Sequence, residues 1–127
     1  MELYIGGCAQ GKLNYVLKQT GISEERVVDA ATYSDGDVED GARIFNHFHR
    51  WVRSQVKAGK DPEDMIARVL SRNPHLIIIS DEVGSGIVPM EAEEREYREK
   101  LGRILCKLAE KAVKVERILC GIGQKLK

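Results

Sequence analysis

The sequence predicts a three-layer α/β fold, a mainly parallel sheet with helices on both faces. Three observations predict it. Short apolar segments alternate with amphipathic helical stretches along the chain. The run Leu76-Ile77-Ile78-Ile79 has no polar alternation, as a parallel strand covered on both faces requires. The first apolar segment leads directly into the glycine-rich loop Gly6-Gly7-Cys8-Ala9-Gln10-Gly11-Lys12, the strand-loop-helix arrangement of a P-loop NTPase-like protein.

Taken in order, Met1 to Ile5 forms the first strand, ended by two glycines. Leu13, Val16 and Leu17 then recur at helical spacing from Lys12 to about Gln19. Val27-Val28, between polar neighbours from Glu25 to Asp29, is a short second strand, and Thr32 to Gly36 is rich in turn residues. From Val38 to Lys57, the residues Val38, Ala42, Phe45, Phe48, Val52 and Val56 follow steps of three or four. Ile44 and Trp51 widen that stripe, which predicts one long, half-buried helix.

Gly59 and Pro62 interrupt the pattern, and Pro62-Glu63-Asp64 suits the first turn of a helix reaching about Ser71, closed by Asn73-Pro74. His75 to Ser80 is the central strand. After the loop Asp81 to Pro89, a helix from about Glu91 to Lys111 places Leu101, Leu105, Leu108 and Ala112 on one side, with acids early and lysines late. Val115 to Cys120 is the last core strand, followed by Gly121-Ile122-Gly123 and a short tail. The predicted order is β-α-β-α-α-β-α-β, one domain over residues 1–127, with ligands expected at the carboxyl ends of the strands.

Composition narrows the function. The 127 residues are 43% hydrophobic and 31% charged, which suits a folded chain with one core. Twenty basic and twenty acidic side chains cancel, leaving no field to hold nucleic acid or an anionic membrane. Cys8, Cys106 and Cys120 are odd in number and unpaired by spacing, so they read as reduced thiols of a cytoplasmic protein. No signal-like segment opens the sequence, and its longest apolar run falls far short of the ~20 residues that cross a bilayer.

The loop from Gly6 to Lys12 carries the chemistry. In G-x-x-x-x-G-K-[ST], small residues let backbone N–H groups curl around phosphate oxygens at a helix N-terminus. The lysine neutralises charge there and the hydroxyl holds magnesium. Gly6, Gly11 and Lys12 fit the spacing, but Leu13 stands where the hydroxyl belongs. The bland alternative is a tight β-to-α connection; the position directly after the first strand favours phosphate. A second candidate is the strand end Ser80-Asp81-Glu82, whose carboxylates could bind Mg2+ or be ordinary solvated loop residues.

These residues resemble a known family. Asp81-Glu82-Val83-Gly84-Ser85-Gly86-Ile87-Val88-Pro89 is similar to the N-E-V-G-x-G-I-V-P segment of the bifunctional adenosylcobinamide kinase and adenosylcobinamide-phosphate guanylyltransferase of cobalamin biosynthesis. The likeness continues through Tyr97-Arg98, Gly102-Arg103 and the ending Gly121-Ile122-Gly123-Gln124-Lys125-Leu126-Lys127, against the family's G-I-G-x-K-I-K. Gly6 to Lys12 resembles its G-G-x-x-S-G-K-S loop, and Ala42-Arg43-Ile44-Phe45-Asn46-His47 resembles its A-R-I-x-H-H.

The resemblance implies a P-loop sheet protein, a homo-oligomer, that phosphorylates the aminopropanol hydroxyl of adenosylcobinamide from ATP or GTP and then attaches GMP from GTP. It places His47 on a guanylylated histidine, Lys12 on the phosphates, and Glu82 or Asp81 near the metal. Nucleotide contacts fall on Gly6, Gly7, Cys8, Ala9, Gln10, Gly11, Lys12 and Leu13. A helical wheel at about 100° per residue sets His47 on the polar side and His49 in the apolar stripe. An exposed surface histidine and a buried, hydrogen-bonded core histidine are their bland readings.

The departures are Leu13 for the loop serine, Ser80-Asp81 for Thr-Asn, Leu105-Cys106 for Asn-Gln, and a shorter middle between His49 and Leu76. There the family carries a further strand with an acidic residue that serves magnesium. A competing reading follows from them: a catalytically degenerate nucleotide- or corrinoid-binding relative with a regulatory or structural role.

Overall fold

The computed structural model describes residues 1–33, 41–83 and 91–127. Most of the loop Asp81 to Pro89, and the first residues of the helix expected from Val38, lie outside them. The elements are β1 (Glu2–Gly6), α1 (Lys12–Thr20), β2 (Val27–Asp29), β3 (Ile44–Asn46), α2 (Phe48–Lys57), α3 (Pro62–Arg72), β4 (Ile77–Asp81), α4 (Ala92–Lys111), β5 (Lys114–Leu119) and β6 (Ile122–Lys125). They build a six-stranded sheet in the order β2-β3-β4-β1-β5-β6, parallel throughout except for the antiparallel β5–β6 hairpin.

The pleat sends alternate residues to opposite faces, and the two faces bury different sets. Leu3, Ile78 and Val115 pack with Phe48, Trp51, Val52, Ile66, Val69, Leu101, Ile104 and Leu108, so α2, α3 and α4 cover one face. Tyr4, Ile44, Ile77, Ile79 and Ile118 pack against Val16, with Leu13 and Leu17 of α1 closing the other. The predicted three layers are therefore present, and β4, apolar on both sides, lies inside the sheet.

The local signals behind the helices act as read. Pro62 opens α3 beneath Asp61, whose side chain accepts the Glu63 N–H at 3.0 Å. Glu93 and Glu94 sit in the first turn of α4 and Lys111 in its last, matching the helix dipole. Among the described residues, no helix is long and apolar enough to cross a membrane.

Two expectations are corrected. The long helix from Val38 to Lys57 does not form: Ile44-Phe45-Asn46 is β3, paired in parallel with both β2 and β4, and the helix begins only at Phe48. The break is His47, whose φ of 60° is left-handed and turns strand into helix. Steps of three and four through Ala42, Phe45 and Phe48 mimic a helical stripe because β3 and α2 bury their apolar residues in the same core. The tail also contains β6, where the sequence reading has none. There Leu119 pairs with Ile122 across a turn in which Cys120 and Gly121 both have positive φ.

The buried tyrosines make an alkaline prediction. Burial pushes the Tyr4 phenol far above its ordinary value, helped by the Glu2 and Glu116 carboxylates. Burial also raises Tyr97, against the opposing charge of Arg53. In the unfolded chain both ionise near pH ~10, so above that pH the unfolded state has released protons the native state keeps, and stability falls as pH rises. Urea midpoints should drop across that range, less steeply in a Tyr4→Phe, Tyr97→Phe double variant. Equal slopes in the two proteins would refute the assignment.

Candidate functional site

Four parallel strands deliver side chains to one edge of the sheet. Gly6 at the end of β1 is in register with Asp81 of β4, and Asp29 of β2 is in register with Asn46 of β3, one residue before His47. Carboxyl ends of parallel strands meet helix N-termini there, so α1 and α2 both begin at this edge. Residues 8–14, Asn46, His47, His49, Arg50 and Ile79 to Asp81 enclose a cavity of about 320 Å³.

The loop is held in shape by its own backbone and by the β5–β6 turn. Ala9 and Gly11 are left-handed, with φ of 56° and 80°, and α1 starts immediately after Gly11. The Gln10 side-chain oxygen accepts the Cys120 N–H at 2.7 Å, and its carbonyl accepts the Gly121 N–H at 2.9 Å. Gly6 is required for a different reason, since a Cβ there would lie 2.5 Å from the Ile118 carbonyl oxygen of the adjoining strand. Gly6→Ala should therefore destabilise the fold by ~1–3 kcal/mol, the usual range for overpacking. An unchanged thermal midpoint would show that β5 can give way.

Lys12 is nearly buried. Its Nζ donates to the Gly7 carbonyl at 2.7 Å and pairs with Asp81 Oδ1 at 2.6 Å. His49, in the first turn of α2, reaches the same acid: its Nδ1 accepts the Asp81 N–H at 3.0 Å and its Nε2 lies 3.3 Å from Asp81 Oδ2. An acceptor Nδ1 requires the hydrogen on Nε2, which then donates to the carboxylate. Burial lowers the His49 pKa, and the nearby cations Arg50 and Lys12 add to this, against the pull of Asp81. His49 is thus a neutral ring with both nitrogens engaged, and Tyr97 Oη donates to its carbonyl at 3.0 Å.

His47, by contrast, is more exposed and bonds Asp29 Oδ1 through Nδ1 at 3.0 Å, its ring edge-on to that of His49 at 6.1 Å. Glu82 goes elsewhere: Arg117 Nε and Nη2 hold its carboxylate at 2.9 and 3.2 Å, and it does not line the cavity. Of the sequence candidates, the fold brings Cys8 to Leu13, His47 and Asp81 to the cavity, leaves Gly6 and Gly7 outside its lining, and directs Glu82 to β5. Sequence reading missed Asp29, Asn46 and Arg50 and took His49 as a core residue. It is buried and hydrogen-bonded as expected, but at the cavity. The signal available for Asp29 was its place at the end of a parallel strand.

Among the described residues, no three His, Cys, Asp or Glu side chains cluster to hold a metal. Magnesium that arrives with a nucleotide needs less, because phosphates and water fill most of its octahedron and one or two carboxylates complete it. Asp81 fits that requirement, whereas Leu13 offers no side-chain oxygen.

No curated protein matches the chain. A family model described as cobinamide kinase / cobinamide phosphate guanyltransferase matches residues 49–126, more than half of the chain. The match covers β4, α4 and the β5–β6 hairpin and begins at His49, after the glycine-rich loop and His47. The chain belongs to the cobinamide kinase / cobinamide phosphate guanyltransferase family, nucleotide-using enzymes of cobalamin biosynthesis.

Proposed function

We propose that this chain binds ATP or GTP on Gly6 to Lys12 and transfers a phosphoryl or guanylyl group to a corrinoid, adenosylcobinamide or its phosphate. One observation carries the reading: Lys12, Asp81 and His47 come from separate elements and line the same cavity beneath the start of α1. Backbone N–H groups of the loop and the Lys12 ammonium would cradle the phosphates. Asp81 would hold magnesium brought with the nucleotide, which supplies charge neutralisation at the phosphates. His47 would be the nucleophile for guanylyl transfer, because both nitrogens of His49 are occupied.

Leu13 and the pairing of Lys12 with Asp81 favour a second reading, a relative that binds nucleotide without turning it over. Incubation with GTP labelled at its α-phosphate, with magnesium, separates the two. Covalent label that persists through denaturation and is lost in His47→Ala supports transfer. Saturable binding with no covalent label, and no transfer from γ-labelled nucleotide to adenosylcobinamide, supports the degenerate reading. No binding of ATP or GTP at all would falsify both.

A further inference from the structure

Resting on the reading of His47 as nucleophile, we infer that Asp29 is the positioning residue that sets its tautomer, through the Oδ1–Nδ1 hydrogen bond at the carboxyl ends of β2 and β3. A carboxylate only accepts, so the 3.0 Å contact places the imidazole hydrogen on Nδ1. Nε2 is then the bare nitrogen, and it has no hydrogen-bond partner among the described residues. A neutral imidazole with its hydrogen on Nε2 would have no lone pair to offer from that atom.

The geometry that fixes this contact is over-determined. β2 and β3 pair in parallel with Asp29 opposite Asn46, so the following residue, His47, starts its turn beside the carboxylate. The left-handed φ of His47 ends β3 and starts α2, and its carbonyl accepts the Arg50 and Trp51 N–H groups at 3.0 and 3.3 Å. Asp29 is held independently: the same Oδ1 accepts the Ala31 N–H at 3.0 Å, capping the turn that follows β2. Partial burial works against ionisation of this carboxyl. The bonds from His47 and Ala31 and the charge of Arg50 outweigh it, and its pKa lies below the ordinary value. Asp29 is therefore anionic at neutral pH.

The step balances. The Nε2 lone pair attacks the α-phosphorus of GTP; an N–P bond forms, the P–O bond to the β-phosphate breaks, and pyrophosphate leaves with the electron pair. The positive charge left on the ring is compensated by Asp29 across Nδ1–H. When a phosphate oxygen of the acceptor attacks the same phosphorus, the N–P pair returns to Nε2. An aspartate in this place both orients the ring and stabilises the charged ring, as in other histidine–carboxylate pairs.

Asp29→Ser is the discriminating variant, because one oxygen of Asp29 takes both bonds: a serine hydroxyl can still cap the Ala31 N–H but is too short to hold Nδ1 of His47 as well. In a buried catalytic triad, exchanging the aspartate for asparagine lowers turnover about 10⁴-fold. Here the pair is half-exposed, and covalent guanylylation by labelled GTP should slow by at least about tenfold. Long-range ¹H–¹⁵N spectra of the imidazoles read the tautomer directly, whatever the activity. His47 should show Nδ1–H in the parent protein and lose that preference in Asp29→Ser, with unchanged thermal stability. Parent His47 with its hydrogen on Nε2, or a labelled parent whose rate and tautomer survive Asp29→Ser, overturns the positioning role alone. A parent with the Nδ1–H tautomer that binds GTP and takes no label overturns the transfer reading, and the positioning role with it.

Discussion

Lys12→Ala is expected to weaken nucleoside triphosphate binding by about 10- to 150-fold, because hydrogen bonds to charged groups contribute ~1.5–3 kcal/mol and ~1.4 kcal/mol is tenfold. In the free protein the ammonium is held by the Gly7 carbonyl and balanced by Asp81. It is already aimed at the loop, so little ordering remains when phosphate arrives. Removing it also leaves the Asp81 carboxylate uncompensated beside the incoming phosphates, a like-charge contact that pushes the loss toward the upper end.

The same pair predicts the opposite sign for Asp81→Asn. An anionic ligand must share Lys12 with Asp81, so neutralising the acid should tighten binding of magnesium-free nucleotide. With magnesium present that advantage should shrink or reverse, since the variant has lost a hard oxygen ligand. Calorimetric titrations with and without a chelator, on proteins of matched circular dichroism, give the four affinities. Parent-like affinity in Lys12→Ala would remove the loop from the phosphate site.

The legible parts of this fold share a feature: their signals are local. Pro62 starts α3, acids and lysines bracket α4, and an all-isoleucine run can be covered on both faces only as an inner strand. β3 was not legible because three residues are too few to show a period, and its burial depends on pairing with β2 and β4. Nothing in the sequence marks His47 as left-handed, since the φ > 0 residue there is not glycine. β6 exposes most of its residues, so it has no apolar pattern to read.

The site divides along the same line. Its loop and Lys12 are contiguous in sequence and were readable, as was Asp81 at a strand end. The contacts of Asp29 with His47 and of His49 with Asp81 follow from strand order and register, which span separations of 18 and 32 residues. His49 falls inside as the wheel predicted, though it does so from the first turn of a shorter helix laid against β4. Asp81 and Glu82, adjacent and chemically alike, part company because successive strand residues face opposite sides and Arg117 of β5 lies on one of them.

Trp51→Ala should destabilise the protein by ~3–5 kcal/mol, the range for truncating a large buried aromatic, out of a total that for domains of this kind is ~5–15 kcal/mol. Trp51 is fully buried, stacked on Phe48 with centroids 5.5 Å apart and close to Phe45 at 6.0 Å. Its indole is the piece that fixes α2 to the sheet, joining β3 to the helix that follows it. Its Nε1, however, is buried with no hydrogen-bond partner among the described residues. An orphaned buried donor costs ~1–3 kcal/mol, so Trp51→Phe, which removes the N–H and keeps a ring, should lie within about 1 kcal/mol of the parent. Urea denaturation of the three proteins checks both figures, and a Phe variant as unstable as the Ala variant would mean that indole volume, rather than an aromatic ring as such, holds α2. Because α2 carries His49 and begins directly after His47, the Ala variant should also lose the His47–Asp29 contact before it unfolds globally. Guanylylation should then fall at denaturant concentrations where the far-ultraviolet circular dichroism is still native.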